Sequence, residues 1–263
     1  MRTFAPILAS LLALSLAACG GQGPETEPEE TADDTLAAAE ADTAGAAEAD
    51  EEIPSREDEV ARDEGSKPQQ LFDFVGIERG DAVVDIFAGS GYNTYLLSER
   101  VGPGGTVYAQ GYSPGLEARL ERGDLSQAEN VVLVDSLSRL PADSVDHAII
   151  VRGYHLFEDP GTLFDALHRA LVPGGTVGVV ELRLGQPRGH DMETHRMGER
   201  TVIDQFTEAG FEYVGESDIL RNPDDPHTSF WEGRRHLADR MLLKFAEPGE
   251  PAPEAPATAR REG

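Results

Sequence analysis

The sequence predicts a doubly wound α/β domain, in which a mostly parallel sheet is covered by helices on both faces. Short, continuous apolar runs such as Ala82–Ile86 alternate with helical segments such as Pro114–Arg122. A strand that is apolar throughout is typical of a parallel sheet, because both of its faces are buried. The stretch from about Ser66 to Pro248 is also long enough for one domain with a substantial core.

Local signals place the individual elements. Ser66 can cap a first helix, Pro68 falls in its first turn, and its apolar pattern runs to Val75. After the strand Ala82–Ile86, helices and strands alternate to the C-terminus. The further strands predicted are Thr106–Ala109, Val131–Val134, Ala148–Val151, Thr176–Val180, Phe211–Val214 and Met241–Phe245. The further helices predicted are Tyr92–Val101, Pro114–Arg122, Thr162–Leu171 and Glu199–Ala209.

The N-terminal segment has the features of an export signal. Arg2 is followed by an apolar run from Phe4 to Ala17, which is shorter than the roughly 20 residues that span a bilayer. The run ends in Leu16-Ala17-Ala18-Cys19, which resembles a bacterial lipobox, and Cys19 is the only cysteine of the chain. We therefore predict a signal peptide over residues 1–18 and a lipid anchor at Cys19, on the periplasmic face of the outer membrane.

Residues 19–64 contain almost no large apolar side chains. Between Glu25 and Glu52 the acidic residues meet no lysine or arginine, and the whole chain has a formal net charge of −27. We predict a disordered tether, with an acidic tail for a basic partner as the alternative. The charge also argues against nucleic acid as a partner, since binding phosphates requires a basic surface. The domain is predicted over residues 65–248 and a disordered tail over residues 249–263.

The turn after the first strand is the strongest candidate for a ligand site. In Asp85-Ile86-Phe87-Ala88-Gly89-Ser90-Gly91, two glycines between a strand and a helix let a ligand approach the backbone closely. Ligands of doubly wound domains bind at this edge of the sheet. Thr94 stands where a dinucleotide fingerprint needs its third glycine, which disfavours nicotinamide and flavin cofactors. A tight turn that serves packing alone stays an alternative.

This turn resembles the first motif of the class I S-adenosylmethionine-dependent methyltransferases, in which an acidic residue precedes a Gly-x-Gly loop. Three further segments, Asn130–Asp135, Leu140–Asp146 and Leu171–Gly175, occur in that family's order. The C-terminal portion resembles a branch of predicted methyltransferases exported by bacteria. The resemblance implies a Rossmann-like sheet, mostly parallel with an antiparallel C-terminal strand.

The resemblance also implies a cofactor, S-adenosyl-L-methionine, and a small-molecule substrate that it does not identify. The cofactor-binding residues it implies are Asp85, Phe87, Ala88, Gly89, Gly91, Gln110, Asp135, Ser136 and Arg152. Gln110 departs from the family, which usually ends its second strand with Asp or Glu to bind both ribose hydroxyls. A neutral amide accepts a weaker hydrogen bond than a carboxylate, so we expect weaker or altered cofactor binding.

Candidate catalytic residues follow the fourth strand, in Arg152-Gly153-Tyr154-His155. Methyl transfer to oxygen or nitrogen needs a base that removes a proton. His155 is the candidate base and Tyr154 a candidate orienting group. The alternative is that His155 only packs against the segment that follows it.

A second histidine-rich segment lies further along the chain, and His195-Arg196 within it is a candidate cap over the pocket. Its possible metal ligands are His190, Asp191, Glu193 and His195. Their spacing matches no strong zinc signature, so we predict a solvated loop and no metal site.

Three classes of function stay open after these observations. The first is an enzyme that transfers a methyl group to a small molecule. The second is a non-catalytic module that uses the cofactor site for another ligand, which Gln110 and export both favour. The third is a structural envelope lipoprotein, which side chains filling the site would favour. The sequence does not identify a protein partner.

Overall fold

The computed structural model describes residues 56–123, 125, 128–228 and 237–249. Within these ranges the strands form one nine-stranded sheet, and its central order is β3-β2-β1-β4-β5. These five strands are parallel, whereas β9 pairs with β5 in the antiparallel direction. The strands are β1 Ala82–Gly89, β2 Thr106–Tyr112, β3 Val131–Val134, β4 Val145–Val151, β5 Leu171–Arg183, β6 His190–Asp191, β7 Arg196–Met197, β8 Glu212–Glu216 and β9 Arg240–Ala246.

Helices cover both faces of the sheet. They are α1 Arg56–Ser66, α2 Pro68–Val75, α3 Tyr92–Val101, α4 Pro114–Arg122, α5 Gly161–Ala170 and α6 Glu199–Glu208. Short 3-10 turns lie at Ala128–Asn130, Leu137–Arg139, Tyr154–Leu156 and Asp218–Leu220. The predicted fold class, a mostly parallel doubly wound sheet with an antiparallel C-terminal strand, is confirmed.

Two apolar cores hold the sheet and its helices together. Ile149 and Ile150 are neighbours on β4, and their side chains point to opposite faces of the sheet. Ile150 packs with Phe206 of α6 in one core, whereas Ile149 packs with Phe72 of α2 and Leu97 of α3 in the other. Because β4 is buried on both faces, its sequence is apolar rather than alternating.

The N-terminal boundary of the packed domain differs from the predicted one. Residues 56–64 fall in the predicted tether, but they form most of the helix Arg56–Ser66. Glu59 in this helix is 4 % exposed and forms an ion pair with the fully buried Arg119 of α4. The charged residue Glu59 is therefore part of the packed domain, which the acidic composition of this segment did not reveal. The predicted signal peptide, Cys19 and the tether up to residue 55 lie outside the described residues, as do residues 250–263.

Several predicted boundaries shift by a few residues. The N-cap of α2 is Lys67, with a φ of 47°, and not Ser66. The segment Leu171–Gly175, which precedes the predicted strand Thr176–Val180, lies inside β5, where the register with β4 shifts between Leu171 and Thr176. The hairpin of β6 and β7 was not predicted, because two-residue strands carry no sequence period. Among the described residues, no helix is long and apolar enough to cross a membrane.

Candidate functional site

The glycine loop lies at the carboxyl end of β1 and leads directly into α3. Its two glycines have different surroundings, although both have positive φ angles, 54° at Gly89 and 85° at Gly91. A Cβ atom on Gly91 would lie 2.5 Å from Leu116 Cδ1, whereas one on Gly89 would meet only Phe87 O at 4.0 Å. Gly91 is therefore favoured by its positive φ, and a side chain there would also displace the end of Leu116. Gly89 leaves open space above the loop, where a ligand can approach the backbone.

Asp85 is held below this loop and is 1 % exposed. Thr94 Oγ1 donates a hydrogen bond of 2.7 Å to Asp85 Oδ2, while Asp85 Oδ1 has no hydrogen-bond partner among the described residues. Burial raises the pKa of this carboxyl to about 7, and the hydrogen bonds from Thr94 act in the opposite direction. Asp85 therefore fixes the first turn of α3, and its cofactor contact stays a prediction.

Gln110 lies in β2, beside Ile86 of β1 and Val134 of β3. Its side chain is 1 % exposed, and neither amide atom has a hydrogen-bond partner within the described part of the chain. An unsatisfied buried amide costs about 1–3 kcal/mol, so this group is unusual in a native fold. Next to it on the sheet edge, the Tyr112 hydroxyl donates to Asp135 Oδ1 at 3.2 Å. Ser136 Oγ accepts from the Ser138 backbone N–H at 3.2 Å.

Phe87 connects the glycine loop to the segment after β4. Its φ is 60°, which is unusual for a residue with a side chain. A Cβ atom on Gly153 would lie 2.3 Å from Phe87 Cδ2, and the Phe87 ring centroid is 5.2 Å from that of Phe157. Ala88 points into a small apolar cluster with Leu116. The loop and the β4 segment are therefore in direct contact.

The two residues before His155 that sequence analysis singled out lie in different surroundings. Arg152 has a φ of 60°, and its backbone N–H donates to Val180 O of β5 at 2.7 Å. Tyr154 is 1 % exposed, packs against Phe206 and donates from its hydroxyl to Gln205 Oε1 at 3.0 Å. Burial raises the pKa of Tyr154. This tyrosine is part of the α6 core, and its orienting role stays a prediction.

His155 is the central member of a hydrogen-bonded chain of three side chains. Its Nδ1 lies 3.1 Å from Oε2 of Glu181, which is fully buried in β5, and its backbone N–H also donates to Glu181 Oε1 at 3.2 Å. On the other side of the ring, His155 Nε2 lies 2.9 Å from Nδ1 of the half-buried His195. His190 stands nearby, with its ring centroid 6.5 Å from that of His155. The structure thus brings together histidines that are 40 residues apart in sequence.

The tautomers of the two histidines in this hydrogen-bonded chain follow from which of their neighbours accept hydrogen bonds. A carboxylate only accepts, so His155 must donate from Nδ1 to Glu181, which leaves His155 Nε2 as an acceptor. His195 then donates from Nδ1, and its Nε2 carries the basic lone pair. In this arrangement His195 Nε2 is the acceptor nitrogen of the His195 ring. Burial lowers the pKa of His190, and so does the electrostatic interaction with the neighbouring His155 side chain.

Sequence analysis missed Glu181, Thr94 and the role of His195. Glu181 carried a signal, since it is the only charged residue in the apolar run from Val177 to Leu182. Thr94 was considered only as a missing glycine. In the described part of the chain, no group of three or more His, Cys, Asp or Glu residues is placed to hold a metal ion.

Comparison with known proteins yields one family match. The model of the family described as "Methyltransferase domain" matches residues 84–179, which run from β1 into β5. The arsenite methyltransferase of Halobacterium salinarum is 28 % identical over 196 residues, covering 68 % of this chain and 49 % of that protein. The chain thus spans about half the length of this relative.

Two solved structures have the same fold. A SAM-dependent methyltransferase from Aquifex aeolicus has a TM-score of 0.56 at 18 % identity and covers 71 % of this chain and 93 % of its own. The 1,6-didemethyltoxoflavin-N1-methyltransferase of Burkholderia thailandensis, solved with bound 1,6-didemethyltoxoflavin and S-adenosylhomocysteine, has a TM-score of 0.56 at 18 % identity. This match covers 86 % of this chain and 93 % of that chain.

These findings agree with the topology and with the loop that follows β1. The predicted cofactor type, S-adenosyl-L-methionine, is confirmed for this kind of domain. Residues 84–179 thus match the family described as "Methyltransferase domain", and the described part of the chain shares its fold with the two solved methyltransferases.

Proposed function

We propose that the protein transfers a methyl group from S-adenosyl-L-methionine to an oxygen or nitrogen atom of a small molecule. The observation that carries this proposal is the chain Glu181–His155–His195, which lies at the carboxyl ends of β4 and β5. The β4 segment contacts the glycine loop through Gly153 and Phe87. This contact supports the proposal that the base acts beside the loop that would hold the cofactor.

The residues at this edge of the sheet fit the proposed cofactor. Gly89 leaves room for the methionine portion above the loop, and the amide of Gln110 is a buried, unsatisfied group at the strand where the ribose hydroxyls would be bound. Asp135 and Ser136 follow β3 and would border the adenine. When bound, the cofactor supplies an electrophilic methyl group on a sulfonium centre.

The chain's own residues supply positioning and proton removal. His195 Nε2 accepts the proton of the acceptor hydroxyl or amine as the methyl group is transferred. The positive charge that forms on His195 is shared with His155 through the 2.9 Å hydrogen bond, and the buried Glu181 carboxylate stabilises it. His155 is a positioning residue in this scheme, because it acts through His195.

Substitutions in the hydrogen-bonded chain Glu181–His155–His195 test this assignment. Methyl transfer is measured with the purified full-length protein and a panel of small molecules that carry a hydroxyl or amine group. We expect His195→Ala and His155→Ala to lower turnover by about 10²- to 10⁴-fold, with affinity for S-adenosylhomocysteine unchanged. His190→Ala is the matched control, since this neighbouring histidine lies outside the hydrogen-bonded chain. Equal turnover of His195→Ala and His190→Ala would refute the role of His195.

A second candidate function is a non-catalytic module that binds another ligand at the same edge of the sheet. The uncharged Gln110 favours it, because the acid that usually binds the ribose is missing. Titration calorimetry separates the two. If the folded protein does not bind S-adenosylmethionine at millimolar concentration, the enzyme proposal is abandoned and the binding module is retained.

We also propose that the protein is anchored to the cell envelope by lipid at Cys19, with the domain on the periplasmic face of the outer membrane. The lipobox-like Leu16-Ala17-Ala18-Cys19 and the short apolar run before it support this. The acidic residues after Cys19 would separate the domain from the membrane.

A further inference from the structure

The hairpin of β6 and β7 carries His195 but is itself very short. Each of its strands has two residues, and β7 is joined to β5 by two residue pairs, Leu182 with Arg196 and Arg183 with Met197. Strands of this length add little stability through their backbone hydrogen bonds. Contacts of the hairpin's side chains must therefore fix its position at the end of β5.

The backbone of His195 also requires support from its surroundings. Its φ is 53°, in the left-handed region, which costs energy for a residue with a Cβ atom. Such a conformation persists where the surrounding structure enforces it. The approach of His195 Nδ1 to within 2.9 Å of His155 Nε2 therefore depends on the contacts of the residues beside His195.

The next residue, Arg196, fixes the hairpin to the rest of the domain. Its side chain is fully buried, and its Nη1 donates to Arg183 O of β5 at 2.8 Å. Its Nη2 donates to both carboxylate oxygens of Asp225, at 3.1 and 3.0 Å. Asp225 is 2 % exposed and lies between the 3-10 turn Asp218–Leu220 and β9. Arg196 thus connects the hairpin to β5 and to the segment that precedes β9.

The carboxylate of Asp225 is held in place by the backbone of that segment. Its Oδ1 accepts from the His227 N–H at 2.9 Å, and its Oδ2 accepts from the Asp239 N–H at 2.8 Å. Each oxygen therefore accepts a backbone hydrogen bond as well as one from Arg196. With both oxygens fixed, the carboxylate in turn fixes the guanidinium, because charged hydrogen bonds are strong and directional.

Stability alone does not account for an ion pair at this position. Removing two charges from water costs energy, and apolar side chains of similar volume often stabilise a fold equally well. The pair of Arg196 and Asp225 adds a defined geometry that apolar packing does not supply. That geometry is imposed on the residue directly before Arg196, which is His195.

We propose that Arg196 and Asp225 form a positioning pair that holds His195 in the orientation in which it forms its hydrogen bond with His155. The inference deepens the proposed function and rests on it for the effect on methyl transfer. Neither member of the pair contacts the substrate in this scheme, because both act through His195. Residues beyond the family match, which ends at residue 179, thereby contribute to the site.

Nitrogen NMR of the isotopically labelled full-length chain tests the pair directly, because it reports which ring nitrogen of each histidine carries the proton. The spectra compare the wild type with Asp225→Asn and with the double variant Arg196→Met/Asp225→Asn. The spectrum of His195→Ala identifies the signals of His195. Glu59→Gln is the matched control, since it removes the counter-charge of a different buried arginine. Turnover and affinity for S-adenosylhomocysteine are measured on the same proteins.

In the wild type, neutral His195 should carry its proton on Nδ1. Both Asp225 variants weaken its hydrogen bond with His155, so a fraction of His195 should carry the proton on Nε2 instead. Turnover should fall by about 10²-fold, as expected when a catalytic group is displaced by about 1 Å, with affinity for S-adenosylhomocysteine unchanged. Glu59→Gln should leave the His195 signals as they are in the wild type.

The proposal is overturned if the folded double variant keeps the wild-type signals of His195, or if Glu59→Gln changes them equally. The double variant leaves neither charge of the pair unmatched, so it decides the question if Asp225→Asn does not fold. Near-ultraviolet circular dichroism establishes that each variant is folded. Failure of the proposed function gives a different result: the wild type would transfer no methyl group, while the signals of His195 would still distinguish the Asp225 variants from Glu59→Gln.

Discussion

At the scale of single residues, the chemistry of the domain depends on a few buried polar groups. Gln110 and Asp85 are each 1 % exposed and have unsatisfied atoms, whereas the polar side chains of Glu181 and His155 are joined to each other. Buried polar groups without partners cost stability, so they persist where another interaction compensates for them. We therefore propose that the unsatisfied atoms of Gln110 contact the bound ligand.

Gln110→Glu should tighten binding of S-adenosylmethionine by up to about tenfold, because a carboxylate accepts a stronger hydrogen bond than an amide. The same change places a charge in a buried position, so the free energy of unfolding should fall without the cofactor and recover when it is bound. Calorimetry and denaturant unfolding measure the two effects. Gln110→Met, which lacks the acceptor, serves as the control and should weaken binding. Weaker binding by Gln110→Glu as well would contradict the ribose contact.

Asp85 should make the stability of the domain depend on pH. Its folded pKa, about 7, is raised above the ordinary 3.8, so its stabilising contribution is complete below about pH 4 and is lost as pH rises to 7. Relative to Asp85→Asn, the wild type should lose about 1.4 kcal/mol per pH unit across this window. Urea unfolding at several pH values measures the difference, with Asp143→Asn, at an exposed position, as the control. A pH-independent difference between wild type and Asp85→Asn would rule out this shift.

At the scale of elements, α1 is held to the domain by its charged side chains. Arg119 Nη1 and Nη2 donate to the two oxygens of Glu59 at 3.1 Å each, and Nη1 also donates to Ser90 O in the glycine loop at 3.2 Å. The Tyr92 hydroxyl donates to Asp63 Oδ1 of the same helix at 2.6 Å. Through Asp63 and the Glu59–Arg119 pair, α1 is thereby connected to the C-terminal end of the glycine loop and to the first residue of α3.

Glu59→Gln should destabilise the protein by about 3 kcal/mol, because it leaves the guanidinium of Arg119 buried without its counter-charge. The exposed pair of Arg100 and Asp73 offers a matched control, in which Asp73→Asn should cost no more than about 1 kcal/mol. Denaturant unfolding monitored by circular dichroism gives both values. Equal losses in the two variants would show that α1 is not held by this ion pair.

At the scale of the whole molecule, the proposed export and lipid anchoring would depend on residues that precede the domain. Cys19→Ser should abolish lipid attachment and leave the protein unprocessed or released from membranes, since serine has no thiol to acylate. Labelling with radioactive fatty acid and membrane fractionation measure this, with Ser15→Ala in the apolar run as the control. Incorporation of fatty acid into Cys19→Ser would disprove the anchor.

Much of the fold was predictable because its signals are local. The boundaries of α3, α4 and β3 match the prediction, since each is an uninterrupted helical or apolar run bounded by turn residues. The beginning of the domain was not predictable from the sequence, because α1 contains mostly charged residues and resembles the predicted tether before it. Its helix is stabilised by contacts with α3 and α4 that lie far away in sequence.

In the candidate site, too, some features were predictable from the sequence and others were not. The sequence by itself determined the doubly wound class, the glycine loop from Asp85 to Gly91 and His155 as a candidate base, because strand periodicity, glycine content and residue chemistry are properties of short segments. Only the tertiary structure decided that Glu181 and His195 extend His155 into one hydrogen-bonded chain. The physical reason is that hydrogen bonds and charge interactions act over a few ångströms, and only the packing of β4 and β5 with their neighbours brings these distant residues within that range.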